Sequence, residues 1–183
     1  TADADDMRAM ARSYSDYGVT SIFPTLATAE FESLFSQAAL IDSLKGDTDG
    51  AEFLGVHLEG RYLNAAKSGA HNTDLLAPPS ASELEEFVGY SKLPLRVSAA
   101  FELPGGDAFA DKVRELGAYP SLAHTASTYA EACEIYRKHK VSFTHLYNAM
   151  SPIHHRDGGT VLAALESGGF CELICDGHHI SPE

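Results

Sequence analysis

A chain of 183 residues, 44% hydrophobic and 21% charged, is long enough for one domain with a real core. Its net charge of -13 argues against a nucleic-acid groove, which needs a basic stripe, but not against an anionic small substrate held by a local patch. No apolar run approaches the roughly 20 residues of a membrane span, and the three cysteines form no CxxC pair, which fits a reducing cytoplasm.

The opening residues show no signal-peptide pattern and no initiator methionine, which leaves the natural start open. Residues 5–17 predict a helix, because Met7, Met10, Ala11, Tyr14 and Tyr17 recur at helical spacing and Gly18 can end it. Residues 19–23 (VTSIF) predict a buried strand, closed by Pro24 and Thr25. A helix over 28–44 follows, striped by Phe31, Leu34, Phe35, Ala38, Ile41 and Leu44. After a polar loop, the strand 53–58 ends at Glu59. Residues 60–80 are the longest irregular stretch, and loops of this length in a compact domain are often functional. Ser82 with Glu85 reads as the capping box of a helix reaching residue 90. Then come a strand at 95–100, a helix at 107–116, a strand at 121–124 and a helix at 127–139. A strand at 141–144, a helix at 159–166 and a strand at 170–175 complete the pattern. Six strands alternating with helices imply a parallel sheet with crossover helices.

In parallel sheets and barrels, sites form at the C-terminal ends of the strands. Glu59, His124, His145 and His179 all fall there. Two imidazoles and one carboxylate are a common zinc set for hydrolysis, with a position left open for water. We therefore read Glu59, His124 and His145 as one metal site. Taken singly, either histidine also fits a hydrogen-bonded core residue, and Glu59 a capping or salt-bridged carboxylate; the joint position favours the metal. Asn148 and Ala149 open a loop where an amide can read a sugar hydroxyl or phosphate, or simply make a turn. Arg156 can fork a phosphate or stay solvated. His71 can reach over the site from the long loop or sit on the surface. His57 is a core or supporting residue, and of His178 and His179 one is expected to point into the site. The cysteines are expected to be packed.

At these residues the sequence resembles the N-acetylglucosamine-6-phosphate deacetylases of the amidohydrolase superfamily. The resemblance is carried by Gly18-Val19-Thr20-Ser21 with Pro24-Thr25, His57-Leu58-Glu59-Gly60, Leu63-Asn64, Gly69-Ala70-His71 and His124-Thr125. It continues through Thr144-His145-Leu146-Tyr147-Asn148-Ala149-Met150, Arg156 and Asp176-Gly177 with His179. It implies an α/β fold, a partial (β/α)8 TIM-like barrel of the metal-dependent amidohydrolase type. It implies metal ligation by Glu59, His124 and His145, with zinc as the first expectation and iron or another divalent ion as alternatives. Ala70, His71, Asn148, Ala149, Arg156 and His179 would contact the sugar phosphate, N-acetylglucosamine 6-phosphate. The implied reaction is amide hydrolysis to glucosamine 6-phosphate and acetate, by a cytoplasmic homodimer.

The chain departs from the family pattern at three places. Arg61 stands where proline usually follows Glu-Gly, Tyr62 where Phe or Trp is usual, and Ala123 where glycine is common. The family's first-strand histidine pair, its small β domain and its catalytic aspartate are expected outside residues 1–183, the aspartate beyond residue 183. Residues 1–183 are thus expected to be the central part of the catalytic barrel, inactive alone and prone to self-association through open sheet edges. Asp176 is not the missing base, because its motif position matches a different element. Alternatives are another metal-dependent amidohydrolase, or a catalytically dead module that binds metal or sugar phosphate.

Overall fold

The computed structural model describes residues 2–181. Among the described residues, six helices and seven short strands follow one another. Helix α1, Ala4–Ser15, starts at a capping box in which the Asp3 carboxylate accepts from the backbone of Asp6 and the Asp6 carboxylate accepts from that of Asp3. Strands β1 (Ser21–Ile22) and β2 (Thr25–Ala27) follow, then helix α2 (Phe31–Ser43). Strands β3 (Glu52–Phe53) and β4 (Val56–Glu59) precede a loop containing two single 3₁₀ turns, and helix α3 (Ala81–Val88) comes next. The remainder is β5 (Leu95–Ala99), α4 (Gly106–Glu115), β6 (Tyr119–Leu122), α5 (Tyr129–His139), β7 (Ser142–Phe143) and α6 (Gly159–Ser167).

Five strands form one all-parallel sheet in the order β2-β4-β5-β6-β7, and β1 pairs with β3 in a separate parallel ribbon. Neighbours in the large sheet follow chain order, with helices between them. That is the winding of a (β/α) barrel, here an open arc of it. The register gives the sheet two unlike faces. Leu58 lies beside Val97, and Leu122 beside Phe143; these side chains are buried in a core shared with Leu34, Leu84, Phe109 and Val113 of the helices. On the other face, Thr25 lies beside His57, His57 beside Arg96, Glu59 beside Ser98 and Ser98 beside Ser121. This inner face is polar and hydrogen-bonded throughout its middle. His57 bonds the Thr25 hydroxyl at 3.0 Å and the Ser98 hydroxyl at 2.7 Å. The Thr144 hydroxyl lies 2.7 Å from both Ser98 and Ser121 and accepts from the Arg96 guanidinium at 3.0 Å. Arg96 also pairs with Glu172. Burial and the nearby Arg96 charge push His57 down to about 4, so it is a neutral core histidine at neutral pH.

Several expectations need correcting. The strand expected over 19–23 shortens to Ser21–Ile22 and is not buried: Ser21 and Phe23 are exposed, and Pro24 follows. The sheet strand is instead β2, formed by residues beyond that proline. The strand over 53–58 is likewise broken. A Cβ on Gly55 would lie 2.0 Å from a Phe23 ring carbon, so the chain steps past that ring there. Helix α3 is capped by Ser80, whose hydroxyl accepts from the Glu83 backbone, not by Ser82 with Glu85. Tyr14 and Tyr17 face solvent, because α1 buries only Met7 and Ala11. The strand over 170–175 reduces to one bridge, Phe143 to Cys171, and Phe170 is 89% exposed. Among the described residues no further strand pairs with that edge, and Leu173 is exposed as well. Cys171 and Cys175 are exposed too, and only Cys133 packs against the core.

Candidate metal centre

The C-terminal ends of β4, β6 and β7 converge. Glu59 is the last residue of β4, and His124 and His145 lie two residues beyond β6 and β7. Gly60 lets the chain leave the sheet at once, since a Cβ there would lie 2.4 Å from the Thr28 backbone nitrogen. Glu59 Oε1 lies 2.8 Å from His145 Nε2 and 3.2 Å from His124 Nε2, and the two imidazole nitrogens are 3.1 Å apart.

The tautomer of His124 follows from its other nitrogen. Nδ1 lies 2.7 Å from the Lys67 carbonyl, which can only accept, so Nδ1 carries the proton. The neutral ring then presents a bare Nε2 lone pair to Glu59 and His145. A metal-binding histidine uses its second nitrogen in this way. Three potential ligand atoms thus face one another across 2.8–3.2 Å. Ligand atoms of a tetrahedral ion with bonds of about 2.1 Å sit about 3.4 Å apart, so these three need part by only tenths of an ångström. His145 Nδ1, by contrast, is buried without a hydrogen-bond partner among the described residues, so its second nitrogen is not anchored as that of His124 is. Burial opposes the charge on Glu59, but the two imidazoles outweigh it and hold the carboxyl well below its usual range.

The backbone around this cluster is strained. His124, His145, Tyr147 and Ala149 all have positive φ, at 44, 36, 78 and 49°. Non-glycine residues in that region cost about 1–3 kcal/mol each and persist only where their surroundings hold them. The Asn64 backbone N–H donates to the His124 carbonyl at 3.0 Å, and the Thr125 N–H to the Ala149 carbonyl at 3.1 Å. The Asn148 side chain donates to the carbonyls of His145 and Leu146.

The other predicted residues are distributed unevenly. His71 stands edge-on to His124, ring centroids 4.6 Å apart, and its Nδ1 bonds the Thr28 hydroxyl at 2.8 Å. Glu59, His71 and His124 offer ligand atoms within 4.8 Å of one another, so His71 borders the same centre. Ala149 approaches the Gly69 turn of the long loop, and Ala70 is exposed beside it. Arg156 is exposed and pairs with no carboxylate among the described residues. His178 and His179 both lie exposed; neither is turned inward as a strand would turn one of them. Asp176 accepts from their backbone N–H groups and bonds His179 Nδ1 at 2.7 Å. The aspartate expected beyond residue 183 lies outside the described residues.

Sequence reasoning missed Glu102, Thr28 and Arg96. Glu102 lies in a turn three residues beyond β5, whereas Glu59 ends β4, so the strand-end rule that marks Glu59 does not reach it. Thr28 accepts from the Arg61 N–H and bonds His71. Arg96 stands out only as a charge inside an apolar run.

An open parallel (β/α) arc with a carboxylate and imidazoles gathered at its strand ends defines an α/β barrel segment with a cation-ready centre. The comparisons with known proteins narrow this. No protein-family model matches the chain. It is 34% identical over 187 residues to an N-acetylglucosamine-6-phosphate deacetylase of Vibrio furnissii, covering 99% of this chain and 46% of that protein. It is 32% identical to an N-acetylgalactosamine-6-phosphate deacetylase of Escherichia coli O157:H7, covering 90% of this chain and 45% of the relative. Among solved structures, N-acetylglucosamine-6-phosphate deacetylase from Pasteurella multocida aligns with TM-score 0.84 at 29% identity, over 98% of this chain and 47% of that one. A Mycobacterium smegmatis deacetylase mutant in complex with N-acetyl-D-glucosamine-6-phosphate aligns with TM-score 0.83 at 30% identity, over 97% and 47%. The chain is homologous to N-acetylglucosamine-6-phosphate deacetylases and spans about half the length of the curated relatives it matches. The resemblance in the motifs and the partial-barrel α/β fold are thereby borne out.

Proposed function

We propose that residues 1–183 are the central part of a metal-dependent deacetylase that hydrolyses N-acetylglucosamine 6-phosphate to glucosamine 6-phosphate and acetate. The observation that carries this is the convergence of Glu59 Oε1, His124 Nε2 and His145 Nε2, with His124 fixed as the Nδ1–H tautomer by Lys67. Homology to deacetylases supports the substrate class. Glu59, His124 and His145 hold a divalent ion, zinc first and iron or another divalent metal second. When bound, such an ion polarises the acetamide carbonyl and acidifies a water.

The chain's own residues supply binding and orientation. Arg156, exposed and without a carboxylate partner among the described residues, is suited to the phosphate through its planar fork. Asn148, Ala149, Ala70 and His71 border the centre from the two loops that meet over it, and His179 joins them when its segment folds inward. Proton transfer to the leaving amine falls to an aspartate outside this stretch, so these 183 residues alone give little or no turnover. The whole enzyme works as a cytoplasmic homodimer. The Escherichia coli relative supports a second reading, in which the substrate is the galactosamine epimer.

Elemental analysis tests the centre. We expect about one transition-metal ion per chain, in keeping with a three-ligand site, lost in a Glu59→Gln, His145→Ala double variant. No bound ion in the unmodified chain overturns the metal reading. Acetate release from N-acetylglucosamine 6-phosphate by the 183-residue chain overturns the assignment of proton transfer to an outside aspartate.

A further inference from the structure

The loops after β4, β5 and β6 are tied together by one side chain that the proposed function does not use. Glu102 lies in the turn after β5. Its Oε1 accepts from the Asn64 side-chain amide at 3.0 Å and from the Ala126 backbone N–H at 2.8 Å, and its Oε2 accepts from the Thr125 hydroxyl at 2.7 Å. Each partner is itself fixed. Asn64 Oδ1 accepts from the Ala66 N–H, which sets the orientation of the amide, and the Asn64 backbone N–H donates to the His124 carbonyl. Thr125 is fully buried; its hydroxyl accepts from the Ser127 N–H, and its own N–H donates to Ala149. Glu102 therefore grips the chain just after His124 and, through Asn64, the carbonyl of His124 itself.

His124 has φ +44° and keeps that conformation only while its neighbours hold it. We propose that Glu102 is a positioning residue for the metal centre. By clamping Asn64, Thr125 and Ala126, it holds His124 in its strained backbone conformation. That conformation sets the ring with Nδ1 on the Lys67 carbonyl and Nε2 on the ion. The clamp works by accepting hydrogen bonds, so its charge is dispensable. Glutamine can keep both Oε1 contacts and let the Thr125 hydroxyl turn to accept from the new amide.

This inference rests on the metal reading for its purpose but not for its test. The 183-residue chain, labelled with ¹⁵N-histidine and stripped of metal, is compared with its Glu102→Ala, Glu102→Gln and Thr125→Val variants. Imidazole NMR should show His124 as a single Nδ1–H tautomer in the unmodified chain and in Glu102→Gln. The two tautomers should be averaged in Glu102→Ala and partly averaged in Thr125→Val. Cobalt(II) titration, read by visible absorption, should show affinity about 10–100-fold weaker for Glu102→Ala, and Glu102→Gln close to the parent. If Glu102→Ala lowers only the melting temperature, leaving the His124 tautomer and cobalt affinity unchanged, the residue is merely structural and the proposal is overturned. Loss in Glu102→Gln equal to that in Glu102→Ala also overturns it, since the charge would then be required. If Glu102→Ala does not fold, Thr125→Val carries the same readouts, and an unaltered His124 signal there overturns the clamp. If the parent chain takes up no cobalt, the metal reading fails, while the NMR arms still decide the clamp.

Discussion

Two segments of this chain share one pattern and meet different fates. His145 and His179 each follow an apolar run of strand-forming residues. At the first, Phe143 is fully buried, Thr144 is bonded by Ser98, Ser121 and Arg96, and the histidine reaches Glu59. At the second, Phe170 and Leu173 face solvent, and among the described residues His179 bonds only its neighbour Asp176. The difference lies in the flanks. Strand β7 has β6 on one side, and Tyr136 of α5 stacks on its Phe143; residues 170–175 meet β7 through one bridge. An apolar run followed by histidine makes a site where both the sheet and the helix layer are present to hold it.

Core substitutions should show this contrast most strongly. Phe143→Ala is expected to cost about 3–5 kcal/mol in urea unfolding, as for a buried aromatic. Phe170→Ala should stay within about 0.5 kcal/mol. Equal costs would mean that the terminal segment is packed in solution, and would break the comparison.

A smaller effect comes from the polar inner face. Folding depresses the pKa of His57 from its ordinary 6.5 to about 4. Between those values the unfolded chain binds the proton and the folded chain does not. The contribution of His57 to stability is therefore full above pH 6.5, is lost as pH drops toward 4, and changes no further below that. The loss is about 3 kcal/mol, read by unfolding titrations in EDTA. His57→Gln should flatten this dependence.

The smallest effect is expected at the terminal histidine. His179→Ala should leave melting temperature and metal content unchanged, whereas His145→Ala should remove the ion. A loss of metal in the His179 variant would show that the two strand ends are equivalent after all.

Much of this fold is readable from spacing. The stripe of Leu34, Phe35, Ala38 and Ile41 marks α2, and these side chains are buried together. The carboxylate after VHL and the histidines after SLA and SFT were legible because parallel strands deliver side chains at their ends. Other features depended on contacts distant in sequence. The break between β3 and β4 is forced by the Phe23 ring against Gly55, thirty-odd residues apart, which no local pattern encodes. Strand β2 is three residues beside a proline, and only its pairing with His57, Leu58 and Glu59 makes it a strand. Glu102 lay in a Pro-Gly-rich turn and read as loop, because its three donors come from two other loops.

Arg61 fixes the path of the long loop through its backbone. Its φ is +64°, its N–H donates to Thr28, and its guanidinium lies over the Phe31 ring. Proline, the residue the resemblance leads one to expect there, is locked near φ −65° and has no N–H to give. Reversion to the expected residue would therefore remove the bond to the hydroxyl that supports His71 and demand a different path for the loop. At φ +64° the position is a backbone commitment as much as a side-chain choice, and glycine rather than proline is the substitution it would accept with least strain.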